Sequence, residues 1–301
     1  MSPALSFNLG KAVQGDERVP LVKVGGVLLR NGGVFNKSDK SPCLFWGNLV
    51  AAVLHTGLAV ATAALGDFKQ RIPLFVVRNA AFLTGKDLMT FSPIVKAADL
   101  SLSPVWLTFF FCAISAFAHA VYVWYFTKYI VIVEQGTQLF RWVEYALSAP
   151  PMIILIAIAA GEREAITLAT YALLTSLTMV CGAGGELVYK LKETENGSRR
   201  LFLLTGVSLQ TYIWTLLLVK FVDTATTAER GPPTFVYGIV ASEVVLFCSF
   251  AVVHICHTEF DTIAKNAEGA YIFLSFVSKA VLAILLLTFA LRVSDFDDAV
   301  K

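Results

Sequence analysis

Lys279 is the residue whose surroundings first demand an explanation. It stands near the middle of residues 270–292, AYIFLSFVSKAVLAILLLTFALR, a run that is otherwise almost wholly apolar. About 20 apolar residues at ~1.5 Å rise cross the ~30 Å hydrocarbon core of a bilayer. The amine is then on the order of 13 Å from either end, too deep for its stem to carry it to the headgroups. A charged lysine there costs roughly 2.5–3.5 kcal/mol, so it takes a partner or is chemically altered. An amine kept from water is more readily uncharged, and an uncharged amine condenses with an aldehyde to a Schiff base. The plain alternative is a lysine paired to an acid inside a helical bundle.

The acid is at hand in residues 139–160, which begin LFRWVEYALSAPP. Arg141 and Glu144 share a helix face, and in an apolar span both must face the bundle interior. Glu144 is the natural counter-charge to Lys279, and Pro150 and Pro151 are expected to kink this span. His55 and His119 lie in two other apolar runs, with Ser115 one turn before His119 and Ser275 one turn before Lys279. With Arg141 and Glu144 they make a polar cluster able to accept a proton. Glu243, in IVASEVVLF, is a further intramembrane acid, either hydrogen-bonded between helices or a step in an ion path. Tyr145, Met152, Trp214, Tyr237, Phe247 and Phe250 are candidates to line a slot for a flat ligand. No metal site is expected, because the one pair at near-helical spacing, His254 and His257, falls at a wet helix end.

These groups need a membrane-embedded scaffold. The chain of 301 residues is 56% hydrophobic and only 15% charged, where a soluble protein carries about 25%. A net charge of +2 gives no footprint for a nucleic-acid partner. Seven apolar runs of spanning length follow one another at 44–65, 103–127, 139–160, 165–187, 201–222, 234–257 and 269–292. The fold class is therefore an all-α membrane protein, a seven-transmembrane helix bundle in the lipid bilayer. Residues 66–102 are too long for a structureless connection and contain β-prone pieces cut by Gly and Pro, so a small β-hairpin is expected there. The five cysteines form no C-x-x-C pair and read as buried, reduced thiols.

Charge sets the orientation. Lys128, Lys190, Lys192, Arg199, Arg200 and Lys265 fall in connections on one side, where Lys11, Arg18, Lys23, Arg30, Lys37 and Lys40 of the polar tail (1–43) also lie. The opposite short connections hold Arg163 and Arg230. This places the N-terminus and its tail in the cytoplasm, the 66–102 loop and a short tail (293–301) outside.

The pattern Arg141-x-x-Glu144-Tyr145-x-x-Ser148-x-Pro150, with a lysine midway along the seventh run, resembles microbial-type rhodopsins. RWVEY followed by Ser148, YIFLSFVSK around Lys279, FCSFA (247–251), His55 and Ser115-x-x-x-His119 resemble the heliorhodopsin branch. The resemblance covers residues 44–292 and implies a retinal-binding domain. It implies retinal, all-trans in the dark, on Lys279 as a protonated Schiff base with Glu144 as counterion. Tyr145, Met152, Trp214, Phe247 and Ser275 then contact the cofactor. It further implies a homodimer, an unknown signalling partner, and a light-sensing photoreceptor rather than an enzyme. Leu155 stands where proton-exporting relatives carry a second acid, and Ser275 where they carry an aspartate, so pumping is not expected. Rival readings are a light-gated proton or cation channel, and a transporter or chemoreceptor in which Lys279–Glu144 is only an ion bridge.

Overall fold

The computed structural model describes residues 21–24, 27–30, 41–84, 88–191, 196–227, 231–259 and 261–289. The expected C-terminal tail, most of the N-terminal tail, and Lys86, Lys192 and Arg230 lie outside these. The chain forms two units. In Met1–Ser41, β1 (Leu21–Val24) pairs antiparallel with β2 (Val27–Arg30). Pro42–Lys301 holds the remaining structure.

The helices are α1 (Ser41–Leu65), α2 (Pro104–Trp124), α3 (Phe126–Glu134), α4 (Leu139–Ala159), α5 (Ala165–Leu191), α6 (Asn196–Thr227), α7 (Thr234–Glu259) and α8 (Asp261–Phe289). Among the described residues, seven of these, all but α3, are long and apolar enough to cross a membrane. Local sequence explains the boundaries. Ser103 caps α2, its side chain accepting from the Trp106 N–H, and Pro104 occupies the first turn, where no N–H is missed. The expected run 103–127 is broken at Tyr125 (φ −103°, ψ 34°), and α3 begins at Phe126. Hydropathy continues across that break, so composition alone does not mark it.

The helix α4 is the axis of the bundle. In its spanning window 67% of residues are buried, against 22% in those of α5 and α6. Ile153 and Ile156 of α4 pack with Phe111, Ile213, Ile239 and Leu282 into one core shared by α2, α6, α7 and α8. Between helices in lipid the drive is close packing rather than escape from water, and small residues allow that approach. The CGAGGE stretch of α5 supplies them: Gly182 accepts the Trp142 ring, Gly184 the Phe202 ring and Gly185 the His254 ring. A Cβ at Gly182 would collide with the Trp142 ring.

Between α1 and α2, β3 (Ile72–Thr84) pairs antiparallel with β4 (Leu88–Leu102), with a register shift between Pro73 and Phe75, and both strands are longer than the short pieces expected from the Gly and Pro residues. A two-stranded ribbon has two open edges, so a proline such as Pro93 need not cost a ladder hydrogen bond. At its base the Phe75 N–H donates to the Arg163 carbonyl at 3.1 Å, tying the hairpin to the α4–α5 connection. The cysteines are free thiols, but only Cys112 is buried, while Cys43 and Cys248 are exposed. An apolar run marks a residue for the membrane, not for the protein interior.

Candidate functional site

The Lys279 and Glu144 side chains are 3% and 4% exposed, and the amine donates to Glu144 Oε1 at 2.8 Å. The Ser275 hydroxyl, one turn back on α8, accepts a second hydrogen bond from the amine at 2.8 Å. Glu144 Oε1 also accepts from Ser115 at 2.5 Å and from Ser148 at 2.9 Å, so α2, α4 and α8 all hold one carboxylate oxygen. Charge-assisted bonds of this kind fix the acid's orientation as well as its charge. The amine also lies 5.1 Å from the centre of the Tyr145 ring.

Beside this pair, the His55 and His119 rings stack at 5.6 Å. Asn48 determines how His119 is protonated. Its Nδ2 donates to the Leu44 carbonyl at 2.8 Å, leaving Oδ1, an acceptor, 2.8 Å from His119 Nδ1. His119 Nδ1 therefore carries the hydrogen, and Nε2 keeps a lone pair. That Nε2 and both His55 ring nitrogens are buried with no hydrogen-bond partner among the described residues. Asn48 was not anticipated, although its spacing of seven from His55 sets both on one face of α1.

Arg141 does not join this group. Its guanidinium is clamped by the Glu186 and Glu268 carboxylates and lies 3.9 Å from the Tyr271 ring centre. The Tyr129 hydroxyl donates to Glu268 at 2.8 Å, and the Gln138 N–H to Glu186 at 3.0 Å. His257 Nδ1 is 3.3 Å from Glu186, and His254 Nδ1 is 3.2 Å from the Tyr271 hydroxyl. The expected wet helix end is thus a buried network, with His254 and His257 9% and 7% exposed. Glu186 and Glu268 each sit at the margin of an apolar run, where an acid is ordinarily solvated, so their position does not single them out. The signal was there: Glu144 already balances Lys279, so Arg141 needed acids of its own.

A cavity reached by Lys279 lies among α4, α5, α6, α7 and α8. Tyr145, Met152, Phe247 and Phe250 form its flat walls. Trp214 is not on the wall but packs edge-on behind Phe247 at 5.5 Å. Tyr237 stands apart, 44% exposed and against Phe221. Glu243 is fully buried on α7, and neither carboxylate oxygen has a partner among the described residues. A lone amine at the end of a ring-lined slot fits an elongated, flat, apolar aldehyde.

Solved structures share this architecture at low identity, which speaks to fold alone. A thermophilic rhodopsin from Rubrobacter xylanophilus is 14% identical with TM-score 0.57, covering 83% of this chain and 95% of its own. A light-driven proton pump from Coccomyxa subellipsoidea is 14% identical with TM-score 0.57, covering 83% and 97%. Xanthorhodopsin, a light-driven ion pump with dual chromophore, is 13% identical with TM-score 0.60, covering 83% and 92%. No curated protein matches the chain. The Heliorhodopsin family model matches residues 44–291, the whole helical bundle and its hairpin. With seven spans and most of its length matched, the chain is a multi-pass integral membrane protein, a retinal-binding rhodopsin that belongs to the heliorhodopsin family.

Proposed function

We propose that this protein is a light-sensing photoreceptor in which Lys279 holds retinal through a protonated Schiff base and Glu144 is its single counterion. The observation that supports this is the buried 2.8 Å Lys279–Glu144 contact at the wall of a ring-lined cavity. Bound retinal, all-trans in the dark, supplies a polyene that absorbs visible light and isomerises. The chain's own side chains do the rest.

Glu144 holds positive charge at the Lys279 nitrogen, and Ser115 and Ser148 keep Oε1 aimed at it. A proton leaving that nitrogen finds His119 Nε2 and the His55 nitrogens, buried acceptors without other partners among the described residues. Leu155 offers no second carboxylate further along α4, so the proton is retained rather than exported and its slow return sets the photocycle. The N-terminus is cytoplasmic and the C-terminus extracellular. The protein works in the bilayer as a homodimer, with a signalling partner and without nucleic acid. Retinal added to the purified protein should give a visible band, and borohydride should fix an adduct at Lys279. An unchanged spectrum in Glu144→Gln rules out Glu144 as counterion.

One observation favours a second reading, a light-gated proton or cation conductance: the unpartnered buried carboxylate of Glu243. Photocurrents under voltage clamp that vanish in Glu243→Gln would establish it.

A further inference from the structure

We infer that the end of the cavity remote from Lys279 recognises a hydroxyl group on the ring of the retinoid, and that Gln210 is the residue that selects it. This rests on the reading of Lys279 as the attachment point.

Gln210 lies on α6 and lines the same cavity as Lys279. Its Oε1 and Nε2 are both buried, and neither has a hydrogen-bond partner among the described residues. Such an amide retains an unmet demand for a donor and an acceptor, which native interiors rarely leave open. Within a membrane-spanning bundle, bulk water does not relieve it.

Its place in the fold says what could. Spans alternate in direction, so α4, α6 and α8 run the same way. Gln210 stands about as far into its span from Ser198 as Lys279 does from Asn266 and Met152 does from Leu139. The three therefore stand at similar positions counted from the start of each span. α6 packs mainly on α5 and also on α7, whereas α8 packs mainly on α7 and also on α2. Gln210 and Lys279 thus reach the same cavity from two helices that both neighbour α7, and Tyr145, Met152 and Phe247 line it with them. A straight, flat molecule anchored at the amine presents its far end to the amide.

The far end of unsubstituted retinal is a hydrocarbon ring, which meets neither need. A ring hydroxyl donates to Oε1 or accepts from Nε2, whereas a ring ketone can only accept. A site built to hydrogen-bond a hydroxyl discriminates strongly against the analogue lacking it, because its own polar group is then stranded.

The test is competition. Apoprotein made without retinoid is equilibrated with equal amounts of retinal and 3-hydroxyretinal, and the bound aldehydes are extracted as oximes and quantified. About tenfold enrichment of the hydroxylated form is expected. Gln210→Leu should remove the enrichment, and Gln210→Asn, which keeps the amide but shortens its reach, should reduce it. Equal uptake by the unaltered protein overturns the inference and assigns the amide a trapped water instead. Enrichment that survives Gln210→Leu overturns it as well. Binding of neither aldehyde at Lys279 defeats this inference together with the photoreceptor reading, whereas equal uptake leaves that reading intact.

Discussion

Arg141 and Glu144 are less than one turn apart on α4, yet they belong to two buried ionic clusters built differently. Around Arg141, two carboxylates hold one guanidinium, and Tyr129, Gln138 and His257 supply further contacts to the same acids. Around Lys279, one amine meets one carboxylate, and the space beyond them is a cavity. Its neighbours His55 and His119 keep three ring nitrogens without partners among the described residues. The first arrangement has its charges bound on several sides and joins α3, α4, α5, α7 and α8. The second leaves valences open for a ligand and a proton. What a buried charge can do therefore depends on what its neighbours leave unsatisfied, not on burial alone.

The largest effect is expected at Lys279. Lys279→Ala should give a protein with no visible band after retinal addition and no borohydride adduct, and a smaller loss of Tm than Arg141→Gln, because it strands one carboxylate that keeps two serine donors rather than two carboxylates. Arg141→Gln should do the reverse. Removing this guanidinium takes from Glu186 and Glu268 the cation they share, which costs about 3–5 kcal/mol and lowers the Tm in detergent on the order of 10 °C. Whatever remains folded should still bind retinal. If Arg141→Gln instead bleaches the pigment at unchanged Tm, the two clusters are one functional unit and the distinction is wrong. Glu144→Gln should shift the visible band, or replace it with that of an unprotonated pigment, with a smaller change in Tm than Arg141→Gln.

The same contrast explains what the sequence made legible. Lys279 and Glu144 are each conspicuous in an apolar run, and a bilayer forces such charges together, so their pairing could be read without coordinates. The three-residue spacing puts Arg141 on the same face as Glu144 and so predicts one cluster. Spacing gives the face but not the neighbours, and its true partners stand on α5 and at the start of α8. The seven spans were legible because length and hydropathy are the constraint a bilayer imposes. Their ends were not: α6 runs 196–227 where 201–222 was expected, since polar turns continue a helix without an apolar signature. Aromatic residues fared least evenly. Phe247 and Phe250 line the cavity while Trp214 and Tyr237 do not, because an apolar helix carries rings toward lipid and interior alike. Gln210 escaped notice because a neutral amide in a helix is unremarkable until its partners are found missing.

A smaller effect separates the histidines from the pigment itself. In His119→Phe the hydrogen bond to Asn48 and the Nε2 acceptor are both lost, while Lys279, Glu144 and their serines stay in place. The dark spectrum should hold its position, and the flash-induced absorbance changes should alter in rate about 100-fold or more, the lower end of the range for losing a positioned base. Unaltered kinetics in both His119→Phe and His55→Phe would remove the histidines from the proton's route.

The smallest change tests whether the Arg141 cluster is structural alone. Tyr129→Phe deletes one hydroxyl, 2.8 Å from Glu268, and should cost about 1.5 kcal/mol, as a hydrogen bond to a charged group does. The pH dependence carries the sign. Burial first, and then the Glu268 carboxylate, push the Tyr129 phenol above the ordinary tyrosine range, which lies near pH ~10. A phenol with a raised folded value stabilises the protein fully below the unfolded value, and that contribution is lost as pH rises past it. The unaltered protein should therefore lose stability above about pH 10, and Tyr129→Phe, with nothing to ionise at this position, should lose less. The gap between their Tm values should narrow toward alkaline pH while both keep the same dark spectrum. A gap that widens there, or a spectrum that moves with Tyr129, would mean that this cluster reaches the pigment after all.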